Sequence, residues 1–342
     1  MRGKIITFVI GEVSRARGGE AAPGVMAKSA PPYAEKAVPR QFVSSQTEIE
    51  FEGRKAQLLV KAYKPDTLLA ELVFEVSNMF AADVLDLKEK AIDLCIDTLK
   101  KRGGKNVDAF SEEYALYIIP EHKGNPEELL AEHKEAVASL LKSERVELDP
   151  HEVDYTISSQ LKYEKDDLVI IDWDGAFIMY ATGGYDETLN IIELANLQLL
   201  RSRLLDKDLD DRLRHAVKLV RTAPPGGSFT KARALRGAFQ EIIAVRAESI
   251  AEFEILEREV KLIGDWYLAR LYDVATKKFK LDTWRNNIQN KLESLEDIYS
   301  IASENLGMSR TQVLELIQIL AFFVLQIGWF LLIILEFFYF TK

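Results

Sequence analysis

Apolar positions recur with two different periods along this chain, and the period changes once. Up to residue 182 short alternating runs dominate. Leu59, Lys61 and Tyr63 share one face of a strand-like run over Gln57–Tyr63, and Leu72, Phe74 and Val76 do the same in Leu69–Ser77. Ile5–Val9, Glu48–Phe51 and Tyr114–Ile119 also read as strands, the last ending at Pro120. Leu87, Ala91, Leu94, Cys95 and Leu99 keep helical spacing within Leu85–Arg102, which stops at Gly103-Gly104. Pro126–Leu141 reads as a second helix with a Glu-rich first turn, and Leu148–Leu161 fits neither period. Asp174-Gly175 lies between two apolar runs in Leu168–Tyr180. That pattern predicts a hairpin with positive φ at both central residues. Four prolines between Ser14 and Arg40 predict a flexible loop over 14–40. Residues 1–182 are therefore expected to form an α+β domain with a mainly antiparallel sheet.

After Gly183-Gly184 the spacing becomes three-four, from Leu189, Ile192 and Leu197 through Leu209 and Leu213. Pro224–Gly227 must interrupt it, and it resumes through Phe253, Leu256, Val260, Leu281, Trp284, Ile288 and Leu295. Residues 186–306 are expected to form a long helical hairpin of coiled-coil type. The last segment, 313–340, holds no Lys or Arg. Glu315 and Glu336 stand 21 positions apart, about 32 Å along a helix, close to the ~30 Å of a hydrocarbon core. This predicts one C-terminal transmembrane helix. Trp329, Phe337, Phe338 and Tyr339 add interfacial rings toward its end. Ile5–Ile10 is too short for the apolar core of an export signal. The bulk is therefore expected in the cytoplasm, on a single-pass anchor in the cell membrane, with Arg310 as the cytoplasmic flank. Glu315, Gln318, Gln326 and Glu336 fall within one stripe of roughly 80°. Polar groups in lipid face protein, so the stripe is an expected helix–helix contact in a homo-oligomer.

Composition narrows the function classes. With 48% apolar and 29% charged residues the 342-residue chain is neither disordered nor disulfide-built, and Cys95 stands alone. The net charge of −10 argues against a chain-wide nucleic-acid binder. The mean hydropathy of −0.07 averages a polar body with an apolar tail. Charge is uneven. Arg212, Arg214, Lys218, Arg221, Lys231, Arg233 and Arg236 form a cluster free of Asp and Glu, around the PPGG turn at the expected hairpin tip. Such a tip suits phosphate, from RNA or anionic lipid headgroups. The competing reading is a solvated tip balanced by the acids of Asp206–Asp211.

Candidate chemistry is sparse. His122, His133, His151 and His215 show no metal-ligand spacing, and no glycine-rich phosphate loop or nucleophile elbow occurs. No metal or cofactor is expected. Gly307-Met308 is followed by Ser309, ahead of a single span, so the Gly-Met-Asn signature of two-span magnesium channels is missing. Asp172-Trp173-Asp174-Gly175 after an apolar strand resembles the way haloacid-dehalogenase-like phosphatases present a nucleophilic Asp and an acid/base Asp to Mg²⁺. It makes Asp172 and Asp174 the catalytic candidates of an alternative reading, a membrane-bound metal-dependent phosphohydrolase. The hydroxyl residue of that motif is replaced by Ala176-Phe177, and a second strand follows.

WYLARLY (Trp266–Tyr272), Trp284, NKLESLEDIYSIASE (Asn290–Glu304) and LELI (Leu314–Ile317) follow one another in the C-terminal part, after IELANLQLLRSRLLD (Ile192–Asp206). In this order the segments resemble the "required for meiotic nuclear division" protein family and its prokaryotic relatives. The resemblance implies a membrane-anchored, non-enzymatic protein with no catalytic residues, and its mitochondrial members are associated with supporting translation at the inner membrane. The expected function is thus a scaffold or tether at a membrane, with a protein partner that the sequence does not name.

Overall fold

The computed structural model describes residues 1–14, 20–21, 41–120, 122, 124–180, 184–221, 244, 247 and 266–340. Alternation in the first half produces one nine-stranded sheet: β1 (Gly3–Glu12), β2 (Glu20–Ala21), β3 (Gln41–Phe51), β4 (Arg54–Tyr63), β5 (Thr67–Val76), β6 (Ser111–Pro120), β7 (Gln160–Leu161), β8 (Leu168–Ile171) and β9 (Gly175–Tyr180). Their spatial order is β2-β3-β4-β5-β1-β6-β9-β8-β7. Every pairing is antiparallel except β6 with β9, where Ala115 to Pro120 run alongside Gly175 to Tyr180 in parallel. The expected α+β class and antiparallel-rich sheet hold.

The helices are α1 (Val84–Lys101), α2 (Pro126–Lys142), α3 (Pro150–Ile157), α4 (Asp186–Arg221), α5 (Trp266–Lys278) and α6 (Leu281–Phe340). Asn125 and Asp149 cap α2 and α3, accepting from Glu127 N and His151 N, with Pro in each first turn. Successive side chains point to opposite faces, and the central strands carry apolar residues on both, each face packed against helices. On one side Ile5, Val9, Leu72, Phe74, Tyr117 and Phe177 pack with Ala91, Cys95 and Leu99 of α1 and with Val137 and Leu141 of α2. On the other, Phe8, Leu69, Tyr114, Leu116 and Ile178 pack with Ile192, Ala195 and Leu199 of α4 and Leu271, Tyr272 and Phe279, a layer completed by α5.

Three local expectations change. Asp174-Gly175 is not the primed turn. Asp172 N donates to Gly175 O at 2.9 Å, so Trp173 and Asp174 are the central residues, and neither Asp174 nor Gly175 has positive φ. Gly175 is favoured by space instead. A Cβ there would lie 3.0 Å from Ala115 O and 3.3 Å from the Tyr117 ring. The turn with two positive φ values is Glu52-Gly53 (48° and 71°), between β3 and β4. The ambiguous stretch 148–161 resolves into α3 and the short strand β7. Of the expected loop 14–40, Glu20–Ala21 pairs with Phe42 and Val43 at the sheet edge, and 15–19 and 22–40 lie outside the described residues.

The chain divides into two compact units. Met1–Asp206 and Ala251–Asn287 form the first, which holds the sheet and its covering helices. Lys207–Ile250 and Ile288–Lys342 form the second. Within the second, Leu209, Ile288, Leu292 and Leu295 are buried, and Lys291 Nζ of α6 lies 2.7 Å from Asp210 of α4. Leu314–Glu336 of α6, 23 residues with a mean hydropathy of 2.4, has no part buried. It is long and apolar enough to cross a membrane.

Candidate functional site

The β8–β9 turn gathers charged and aromatic side chains from elements far apart in sequence. Asp172 closes β8 and is 3% exposed, so its carboxylate needs partners. It has two. Lys278 Nζ, in the last turn of α5, lies 3.0 Å from Oδ1, and Lys142 Nζ, ending α2, lies 3.1 Å from Oδ2. Lys142 also meets Glu152 of α3 at 2.9 Å. Both ammonium groups stand over the Tyr155 ring, at 4.8 Å for Lys278 and 5.9 Å for Lys142. From below, the Tyr114 hydroxyl donates to the Asp172 carbonyl at 2.9 Å. The Lys142 ammonium is held above its usual range. Partial burial opposes this, and hydrogen bonds to Glu152 and Asp172 outweigh it.

Asp174, two residues on, is half-buried and does not join that pair. Burial raises its carboxyl above the ordinary aspartate range against the pull of Lys88. Lys88 itself donates to Ser143 Oγ at 2.8 Å, where Ser143 caps α2 with φ 55°. Trp173 between the two acids is exposed, its ring edge-on to Phe279 at 6.3 Å. The structure thus sends the two acids to different partners. Among the described residues no group of three His, Cys, Asp or Glu could hold a metal ion. What the arrangement does chemically is pin three elements, α2, α5 and the β8–β9 turn, to one buried carboxylate.

A second network lies under α4. Lys61 on β4, Glu71 on β5 and Glu193 on α4 are 8%, 3% and 0% exposed. Lys61 Nζ is 2.6 Å from both carboxylates, and the Tyr63 hydroxyl donates to Glu193 Oε2 at 2.9 Å. Burial pushes Glu71 up to about 7. Lys61 works against that shift, and the nearby Glu193 charge adds to it. Lys61 remains charged, because the two glutamates outweigh its burial. Sequence reasoning missed this network, although the signal was present: Lys61 alternates with Leu59 and Tyr63 on an inward face, and Glu71 with Leu69 and Val73. Lys142 and Lys278 carried no such signal, since a basic residue in a last helical turn already satisfies the helix dipole.

The other residues singled out by sequence are dispersed. Arg212 pairs with Asp208 at 2.7 Å and Arg214 with Asp211, both one turn back on α4. Lys218 is exposed on the same helix. The Arg221 side chain and all of Lys231, Arg233, Arg236 and the PPGG turn lie outside the described residues. Glu315, Gln318, Gln326 and Glu336 are all exposed along α6.

Comparison with known proteins finds a family match over the N-terminal sheet domain and a longer match to one curated relative. A family model described as "Uncharacterized protein MJ0711, N-terminal domain" matches residues 11–186. The curated protein "Uncharacterized protein MJ0711" of Methanocaldococcus jannaschii is 28% identical over 250 residues, 73% of this chain and 74% of the relative. No solved structure matches. The family model covers the N-terminal domain and not the C-terminal segments Trp266–Tyr272 and Asn290–Glu304 that carry the meiotic-division resemblance, and that family is not among the matches. Since the matched region takes in more than half of the chain, from the end of β1 to the start of α4, this protein belongs to the MJ0711 N-terminal domain family.

Proposed function

We propose that this protein is a single-span, membrane-anchored scaffold or tether without enzymatic activity, its α+β domain facing the cytoplasm from the cell membrane. The carrying observation is the 23-residue apolar helix Leu314–Glu336, none of it buried by the chain itself. An apolar surface of that length is not stable in water, and a lipid bilayer of ~30 Å matches it. The lack of Lys and Arg through 313–340 and the acidic residues at both ends of the span support the same reading. A non-enzymatic role is supported by Asp172, whose carboxylate already holds Lys142 and Lys278. The C-terminal resemblance to the meiotic-division family supports anchoring too. Pairing of Arg212 and Arg214 with acids of their own helix favours the solvated reading for those two residues.

The test is alkaline carbonate extraction of membranes from cells expressing the full chain. The wild type is expected in the membrane pellet, and a Leu320→Arg, Leu331→Arg variant in the supernatant. Recovery of the wild type in the supernatant refutes anchoring. A Lys165→Cys variant reports orientation. An impermeant maleimide is expected to label it only after lysis, because the domain would face the cytoplasm, and the buried native Cys95 leaves position 165 as the reporter. Labelling in intact cells reverses the assigned topology. A protein captured at fixed stoichiometry from solubilised membranes, with RNase present, supports the scaffold role. Capture of nothing, or capture lost with RNase, counts against it.

A further inference from the structure

Three of the span's four polar residues, Glu315, Gln326 and Glu336, fall on one seven-residue repeat. From Glu315 the steps 4, 3, 4, 3, 4, 3 run through Ile319, Phe322, Gln326, Trp329 and Ile333 to Glu336. This is an uninterrupted a/d seam of three heptads, the pattern of two helices wound left-handed on each other. Gln318 flanks the seam one step away. All of these residues are exposed along α6. The two glutamates lie at the ends of the span, at headgroup depth. Gln326 is 11 residues from one and 10 from the other, about 16 Å from each, and so sits at the middle of the hydrocarbon. There its carboxamide has no water to bond, and lipid offers no substitute.

We infer that this seam joins the span to the same span of a second copy of the chain, in parallel, with Gln326 bonded to its counterpart. The inference rests on the anchor reading and adds its partner. A second copy is the occupant because the seam is self-complementary. A carboxamide both donates and accepts, so a twofold axis through position 326 satisfies both copies at once. Copies inserted by one route share direction and depth, which brings like positions together. The seam presents no cation, and its only charges lie at the wet ends, so nothing in it calls for a partner of opposite charge. Ile319, Phe322, Trp329 and Ile333 supply the packing surface, and a single polar a position sets the register.

Disulfide cross-linking of the full chain in native membranes tests this. Single cysteines go in at Phe322, Gln326 and Trp329 on the seam, and at Val324 and Leu331 on the opposite face. Buried Cys95 serves as the silent background. Oxidation is expected to give dimers at 322, 326 and 329 and monomer at 324 and 331. Equal or absent cross-linking, in chain that resists carbonate extraction, overturns the seam and leaves the anchor standing. Release of the chain by carbonate overturns both. A Gln326→Leu variant, followed by energy transfer between labelled copies in bilayers, is expected to associate about 3- to 30-fold more weakly, and Val324→Leu to match the wild type. Unchanged association of Gln326→Leu overturns the hydrogen-bonded register.

Discussion

Replacing Glu71 with Gln is expected to flatten the pH dependence of stability between pH 5 and pH 8. The cause lies in the ratio of charges beneath α4. One ammonium, Lys61, serves two carboxylates at 2.6 Å each, and all three groups are out of water. Ionising both glutamates leaves one uncompensated negative charge inside the domain, which low dielectric makes expensive. Burial therefore holds Glu71 protonated up to about 7. Its pKa in the folded state lies above that of the unfolded chain, near 4.5. The stability it contributes is thus fully present below about pH 4.5 and is lost as pH rises through about 7. The gap corresponds to about 3 kcal/mol at most, a large share of the ~5–15 kcal/mol that holds a typical domain together.

The assay is urea denaturation of the full chain in detergent micelles at pH 5, 6, 7 and 8, followed by tryptophan fluorescence. Glu112 is also pushed up to about 7, by burial against the opposing charge of Arg203, so the wild-type slope contains both groups. Glutamine imitates the protonated carboxyl and cannot titrate. The difference between wild type and Glu71→Gln therefore isolates Glu71. It is expected to shift in favour of the variant by up to about 3 kcal/mol across the range. Parallel curves for the two proteins refute the reasoning.

Two further outcomes follow from buried groups. Asp172→Ala leaves Lys142 and Lys278 without their shared carboxylate and is expected to cost about 3 kcal/mol in urea denaturation; Asp172→Ala combined with Lys278→Met is expected to cost less than the sum of the two single changes. Cys95 is fully buried, and its thiol is pushed up to about 12 by that burial. A thiol reagent at pH 8 is therefore expected to leave the folded chain unmodified and to react in urea.

The parts of the fold that depend on local period were legible in the sequence. Alternation located β4 and β5, apolar runs ending at Pro120 or flanking Asp174-Gly175 located β6, β8 and β9, helical spacing stopped by Gly103-Gly104 located α1, and Pro126 with a Glu-rich first turn located α2. What escaped was long-range. The parallel pairing of β6 with β9 arises because α2, α3, β7 and β8 intervene as a crossover, and no residue in either strand announces it. Asp-Gly suggests a turn by its φ preference, but the constraint at Gly175 is the close approach of Ala115 O, 3.0 Å from where a Cβ would lie. The candidate site was half legible. Asp172 was visible as chemistry, and its occupation by Lys142 and Lys278, 30 and 106 residues away, was not.

The matched region and the folded core do not coincide, and this makes the extent of the family domain testable. The match ends at residue 186, at the first residue of α4. Yet the central strands pack one of their faces against what comes later. Ile6, Phe8, Ile10, Leu69, Tyr114, Leu116, Ile118, Val169, Ile171 and Ile178 are covered together with residues of α4 and α5. Burying such a side chain is worth about 1.5–3 kcal/mol. Half of that for each of these ten amounts to roughly 10 kcal/mol, comparable with the whole stability of a domain. Lys61 and Glu71 would lose Glu193 as well. A fragment of residues 1–186 is therefore expected to aggregate or to lack cooperative unfolding. A fragment of 1–290, which brings α4 and α5, is expected to remain soluble, to unfold cooperatively and to protect the amides of β1 and β6 from exchange. A monomeric 1–186 fragment with the same β1 and β6 protection as 1–290 would show that the sheet stands without its second helical layer.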